Sequence, residues 1–166
     1  MLIKFIDSAD NLSVQVHPSD GYALKNEGQF GKTEMWYIVE AEEGAGIYLG
    51  FRRDVTAEEF GRSIEDGSVL SLLNFFPVKK GEHYFIASGT VHAIGKGCVI
   101  AEIQQNSNLT YRVYDYGRKD ASGKGRELHV EKALDVIDFR PFADRTSRSR
   151  RLPTAAYASA GANISR

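Results

Sequence analysis

The chain has 166 residues and a nearly balanced charge, with 21 lysines and arginines against 22 aspartates and glutamates. That length suits one domain with a real core, and the balance excludes the basic excess expected of a nucleic-acid or membrane-surface binder. A single cysteine, Cys98, excludes an intrachain disulfide framework and a zinc cage built on paired thiolates.

No apolar stretch reaches the roughly 20 residues that cross a bilayer, since residues 69–78 are interrupted by Ser71 and Asn74. The opening Met1-Leu2-Ile3-Lys4-Phe5 does not resemble a signal peptide. The expectation is a cytoplasmic protein with no membrane or nucleic-acid partner. In that compartment the sequons at Asn11 and Asn108 carry no weight.

Residues 2–6 and 12–17 alternate as strands, and the polar run 7–11 predicts the turn of a hairpin that opens the fold. Alternation places Ser13, Gln15 and His17 on one face of the second strand. Ser19 and Asp20 predict the cap of a short helix to residue 27, with Gly28 and Gly31 releasing the chain. Residues 32–39 are β-branched and aromatic, a central strand with Glu34, Trp36 and Ile38 on one face. Residues 44–51 give another strand. Thr56-Ala57-Glu58-Glu59 predicts a capping box opening a helix that Gly67 stops.

Periodicity leaves residues 70–78 open between helix and strand. Strands follow at 83–87, 92–94, 98–104 and 110–116, and helical spacing at 130–137. Many short strands with turns between them predict an all-β protein, an antiparallel sandwich or jelly roll with a few short helices. From Arg140 the chain turns to arginine, serine, alanine and glycine without periodic apolar residues. The domain is therefore expected to span 1–139, with 140–166 a disordered or loosely docked tail.

Gln15, His17, Glu34 and His92 stand out as an amide, an acid and two imidazoles in strand-like settings. Nitrogen and oxygen donors without thiolate suit Zn²⁺ or another borderline divalent ion and leave it Lewis acidic. Spacing alone is weak support, because a single strand histidine is more often a hydrogen-bonded structural group.

The segment Gly81 to Gly95 adds context. It resembles the second cupin motif, with Gly81, Gly89 and His92 at the motif's spacing and Ala87 where proline is usual. Gln15-Val16-His17 then stands for the histidine pair of the first motif, with its glutamate displaced to Glu34. Four stretches narrow the resemblance: Leu12-Ser13-Val14-Gln15-Val16-His17-Pro18, Gly31-Lys32-Thr33-Glu34-Met35-Trp36-Tyr37, Ser88-Gly89-Thr90-Val91-His92-Ala93, and the run from Glu102 to Tyr116. In these the chain is similar to type I phosphomannose isomerases.

The resemblance implies a zinc held by Gln15, His17, Glu34 and His92, and a catalytic arginine at Arg112. It also implies Lys4, Ser13 and Lys32 as contacts for a sugar phosphate, and Glu102 as a proposed catalytic carboxylate. The implied reaction interconverts mannose 6-phosphate and fructose 6-phosphate through an enediol. Bland readings stand beside these: solvated strand-end lysines for Lys4 and Lys32, cation–π stacking for Arg112, and orientation of a ligand histidine for Glu102. His83 and His129 read as structural, and Trp36 and Tyr37 as packing residues. Members of that family carry further segments on both sides, so a truncated form is expected, impaired in turnover or completed as a homodimer. The competing expectation is a non-catalytic cupin module that binds metal or sugar.

Overall fold

The computed structural model describes residues 1–142, so the tail beyond Phe142 lies outside the described residues. Its elements are β1 (Leu2–Asp7), β2 (Val14–Val16), α1 (Asp20–Glu27), β3 (Glu34–Ala41), β4 (Gly46–Phe51) and α2 (Ala57–Glu65). There follow a 3₁₀ turn (Val69–Leu72), β5 (Leu73–Pro77), β6 (His83–Ile86), β7 (His92–Ile94), β8 (Cys98–Gln104), β9 (Tyr111–Tyr114) and α3 (Val130–Leu134). Two antiparallel sheets result, in the orders β1-β8-β3-β6 and β5-β4-β7-β2-β9. The expected all-β sandwich is what the chain forms.

The expected opening hairpin is not formed. β1 pairs with β8 in the first sheet, while β2 pairs with β7 and β9 in the second. Residues 8–13 cross between the layers, and the crossing is tied down by hydrogen bonds rather than by a tight turn. Ser8 Oγ donates to Gly95 O at 2.7 Å, and Leu12 N donates to Ile94 O at 2.8 Å. Residues 70–78 divide into the end of the 3₁₀ turn and edge strand β5. The last helix is shorter than its spacing implied, closing at Leu134.

The helices form where their caps are. Ser19 accepts from Tyr22 N at the start of α1, and Gly28 ends it in the left-handed region at φ 64°. Thr56 accepts from Glu59 N at the start of α2, but Glu59 pairs with Arg53 instead of closing the box.

The two sheets are covered unequally. Val14 and Val16 face outward from the second sheet into a cluster with Phe60 of α2, Val69 and Leu72 of the 3₁₀ turn and Ala133 of α3. Between the sheets, Trp36, Ile38, Ile47, Leu49, Ile86, Ile94 and Ile100 form the second cluster. The outer face of the first sheet is exposed, and Ile3, Ile103, Met35 and Phe85 form one cross-strand row on it.

One close approach sets the distance between β2 and β3. Lys32 N donates to Pro18 O at 3.0 Å, and Gly31 N donates to Asp20 Oδ1 at 2.8 Å. A Cβ on Gly31 would lie 2.4 Å from Pro18 O and 2.5 Å from Asp20 N, both backbone atoms that cannot swing aside. Gly31 is thus required by contact, where the sequence pattern cast it as a helix stop. Gly31→Ala should destabilise the fold by about 1–3 kcal/mol, the usual cost of overpacking, read as a lower urea midpoint with an unchanged m-value.

Candidate metal centre

Strand register assembles the site. In the second sheet Leu49, His92, Gln15 and Arg112 are directly paired neighbours across β4, β7, β2 and β9. Residues in one such row share a face, here the one turned toward the opposite sheet. Across the gap, β1, β8 and β3 supply two rows, Leu2–Gln104–Glu34 and Lys4–Glu102–Trp36. His17 follows β2 and is anchored by its Nδ1, 2.8 Å from Leu109 O.

His17, Glu34 and His92 converge, with one donor atom from each within 4.8 Å of the others. All three are buried, at 1% exposure or less. His17 Nε2 lies 3.1 Å from Glu34 Oε1, and His92 Nε2 lies 3.8 Å from Glu34 Oε2. A tetrahedral cation with bonds of about 2.0–2.1 Å needs its donors about 3.3 Å apart. The His17–Glu34 separation is close to that value, and the set as a whole is somewhat wider. Gln15 is the fourth group, its carboxamide nitrogen 3.4 Å from His92 Nε2. A half-turn of the amide presents its oxygen at the same place.

Both imidazoles are oriented for ligation. Their Nδ1 atoms face the carbonyls of Leu109 and Thr90, each at 2.8 Å, so each ring holds its proton there and turns the Nε2 lone pair inward. His17 Nε2 and Glu34 Oε1 are buried without a hydrogen bond of acceptable angle, despite lying at ion-pair distance. A buried ring nitrogen left facing a carboxylate oxygen is costly, and a cation between the two would relieve it. The donor set fits a divalent ion.

Charge in the cluster is arranged around Glu34. Burial by itself would raise this carboxyl, but His17, His92 and Lys32 together hold it well below the usual carboxylate range. Lys32 Nζ is 2.8 Å from Oε1, and Trp36 Nε1 donates to Oε2 at 3.0 Å. Burial pushes His92 down to about 4, with the neighbouring His17 adding to the effect, and burial lowers His17 as well. Both rings are therefore neutral near pH 7 and able to ligate.

The other sequence-selected residues surround this centre. Lys32 is 5% exposed, which removes the solvated-lysine reading for it. Lys4 stays partly exposed, 3.6 Å from Glu102 Oε1. Glu102 is raised by burial and then by the charge of Glu34. It touches Lys4 rather than a histidine, so the orienting role weighed for it has no contact behind it. Arg112 Nε donates to Ser13 Oγ at 3.1 Å, and Nη1 donates to Glu127 O at 3.1 Å. The cation–π pairs in this region belong to Arg118 and Lys132 instead.

Two contributors escaped the sequence reading. Trp36 was assigned to packing, yet besides packing edge-on to His92 at 5.4 Å it holds Glu34. Gln104, opposite Glu34 in register, accepts from Lys4 Nζ at 2.8 Å. His129 precedes α3 and its Nδ1 accepts from Arg112 N at 3.4 Å. His83 sits in β6 facing Tyr37.

No family model matches the chain. A mannose-6-phosphate isomerase from Streptococcus mutans is 48% identical over 146 residues, covering 88% of this chain and 46% of that protein. The same name attaches to a Bacillus subtilis protein, 48% identical over 146 residues and likewise covered to 46%. The chain is homologous to the mannose-6-phosphate isomerases. It spans about half the length of these curated relatives. Among solved structures, the Bacillus subtilis mannose 6-phosphate isomerase superposes with a TM-score of 0.77 at 43% identity, over 82% of this chain and 44% of that one. A point mutant of phosphomannose isomerase from Salmonella typhimurium gives 0.64 at 15% identity, over 84% of this chain and 54% of that one, which shows a shared fold.

Metal and protons should act oppositely on stability. His92 in the folded state titrates below its unfolded value of 6.5, so the unfolded chain binds more protons. Stability of the metal-free protein is then complete above about 6.5 and is lost as pH falls toward 4. Protonation of Glu34 extends the loss at lower pH. Urea midpoints should fall from pH 7 to pH 5, and Zn²⁺ in excess should raise the midpoint at pH 7. Glu34→Gln should abolish the Zn²⁺ effect.

Proposed function

We propose that this chain is a metal-dependent aldose–ketose isomerase acting on mannose 6-phosphate and fructose 6-phosphate. The carrying observation is the convergence of His17, Glu34 and His92, with His17 Nε2 buried and without a hydrogen bond, and with Gln15 and Arg112 in the same row as His92. Homology to the mannose-6-phosphate isomerases supports the substrate.

Gln15, His17, Glu34 and His92 would hold the ion, with Zn²⁺ the species that the donor set suits. A divalent ion so held supplies Lewis acidity toward the sugar's C1 and C2 oxygens. The remaining steps fall to the chain. The reaction takes a proton from C2 of the aldose and returns one to C1, while a hydroxyl proton moves between O2 and O1. Glu102 would take and return the carbon-bound proton, a reading supported by burial, which raises its carboxyl. Arg112, permanently charged and planar, opposes the negative charge of the enediolate.

Ser13 holds the guanidinium of Arg112 and offers a hydroxyl on the same side. Lys4 brings an ammonium group suited to a dianionic phosphate, and Lys32, the other phosphate contact implied by the sequence, would reach one only from its place against Glu34 at 2.8 Å. Binding at that remote end orients the reacting end.

A coupled assay with mannose 6-phosphate and added Zn²⁺ tests the reading. Turnover should require the metal, and Arg112→Met should lower kcat by about 10²–10³-fold, the scale of losing one charge-stabilising donor, while leaving Zn²⁺ affinity intact. A folded, Zn²⁺-loaded sample without turnover would instead favour the non-catalytic binding module.

A further inference from the structure

We propose that Gln104 is a positioning residue that holds both the sugar-phosphate contact Lys4 and, through the loop after β8, the imidazole of His17. The carboxamide is 2% exposed and fully engaged. Its Oε1 accepts from Lys4 Nζ at 2.8 Å. Its Nε2 donates to Gln105 O at 2.9 Å and to Ser107 O at 3.0 Å. Only asparagine and glutamine offer an acceptor and two donors on one planar group, and the shorter asparagine would not span the same three partners.

The two donors hold the loop that follows β8. Within it Ser107 Oγ donates to Phe30 O at 2.8 Å and accepts from Leu109 N at 3.2 Å. Leu109 O is the carbonyl facing His17 Nδ1. The path therefore runs from Gln104 through Ser107 and Leu109 to the ring whose other nitrogen faces Glu34. If the loop relaxes, the Nδ1 proton loses its acceptor, and the ring can place its proton on Nε2, which cannot then ligate. Partners of this kind are worth about 10–100-fold in metal affinity.

The metal arm of the inference stands on the geometry alone, and the kinetic arm rests on the isomerase reading above. Three full-length variants separate them: Gln104→Met, Gln104→Glu and Lys4→Met. Gln104→Met loses every contact, and should bind Zn²⁺ about 10–100-fold more weakly. It should also show His17 as a tautomer mixture by long-range ¹H–¹⁵N correlation, and at saturating Zn²⁺ raise KM about tenfold with kcat nearly unchanged.

Gln104→Glu, when ionised, still accepts from Lys4 but donates to neither carbonyl, so it should lose the single His17 tautomer while still holding the ammonium. Lys4→Met should raise KM and leave both Zn²⁺ affinity and the His17 spectrum alone. Should Gln104→Met not fold, Ser107→Ala breaks the same path at the loop and carries the same tautomer expectation. Wild-type Zn²⁺ affinity and an unchanged His17 spectrum in folded Gln104→Met, or in Ser107→Ala where it stands in, would overturn the proposal. A wild-type protein that binds Zn²⁺ without turnover would sink the isomerase reading and leave the metal arm still decided by affinity and spectrum.

Discussion

The site depends on keeping one carboxylate ionised inside the sandwich. Glu34 is 1% exposed, and an ion of its size loses several kcal/mol of solvation on burial even after relaxation. The Lys32 ammonium at 2.8 Å and the Trp36 indole N–H at 3.0 Å offset that loss. The offset is incomplete, because Oε1 remains without a well-aimed hydrogen bond. Lys32 thus stands in part for the cation: it neutralises the carboxylate when the metal is away and repels the metal when it arrives. Affinity is therefore set by a competition within the cluster and not by ligand count alone.

Register turns that local competition into a site with two walls. The row across β7, β2 and β9 carries His92, Gln15 and Arg112, and the rows across β1, β8 and β3 carry Glu34, Gln104, Glu102 and Lys4. A slip of one residue in any of these pairings would turn its polar set outward and bring the intervening apolar residues in. The valines flanking Gln15 make such a slip costly, since they are packed under α2 and α3. The helices on the outer face thereby hold the metal-facing side chains on the inner one.

Much of this was legible from alternation. The burial pattern of β3 places Glu34, Trp36 and Ile38 inward, the face that period-2 reading assigns to them, and the cap residues marked the starts of α1 and α2. Pairing was not legible. A polar loop between two strands reads as a hairpin whether it turns within one sheet or crosses to the other, and residues 8–13 cross because Ser8 and Leu12 bond to the β7–β8 region. Gln104 was missed although a signal for it existed. Ile100, Glu102 and Gln104 share inward parity in β8, and a second polar residue on an otherwise buried face needs a partner. Trp36 was missed because an indole nitrogen leaves no trace in hydropathy.

The same parity separates what this span of chain does alone from what its surroundings decide. Every proposed ligand lies on β2, β3, β7 or the turn after β2, among elements paired within the described residues. The candidate donor set is accordingly assembled by the two sheets themselves. Lys4 differs, because it sits on edge strand β1, whose only strand partner among the described residues is β8, and its side chain is 41% exposed. An ammonium so placed is screened by water, and its pull on a phosphate is weakened accordingly. The carboxamide of Gln104 limits that weakness by fixing where the ammonium points before any ligand binds. Order imposed in advance lowers the cost of binding, so an edge lysine held in this way would bind an anion better than a freely moving one.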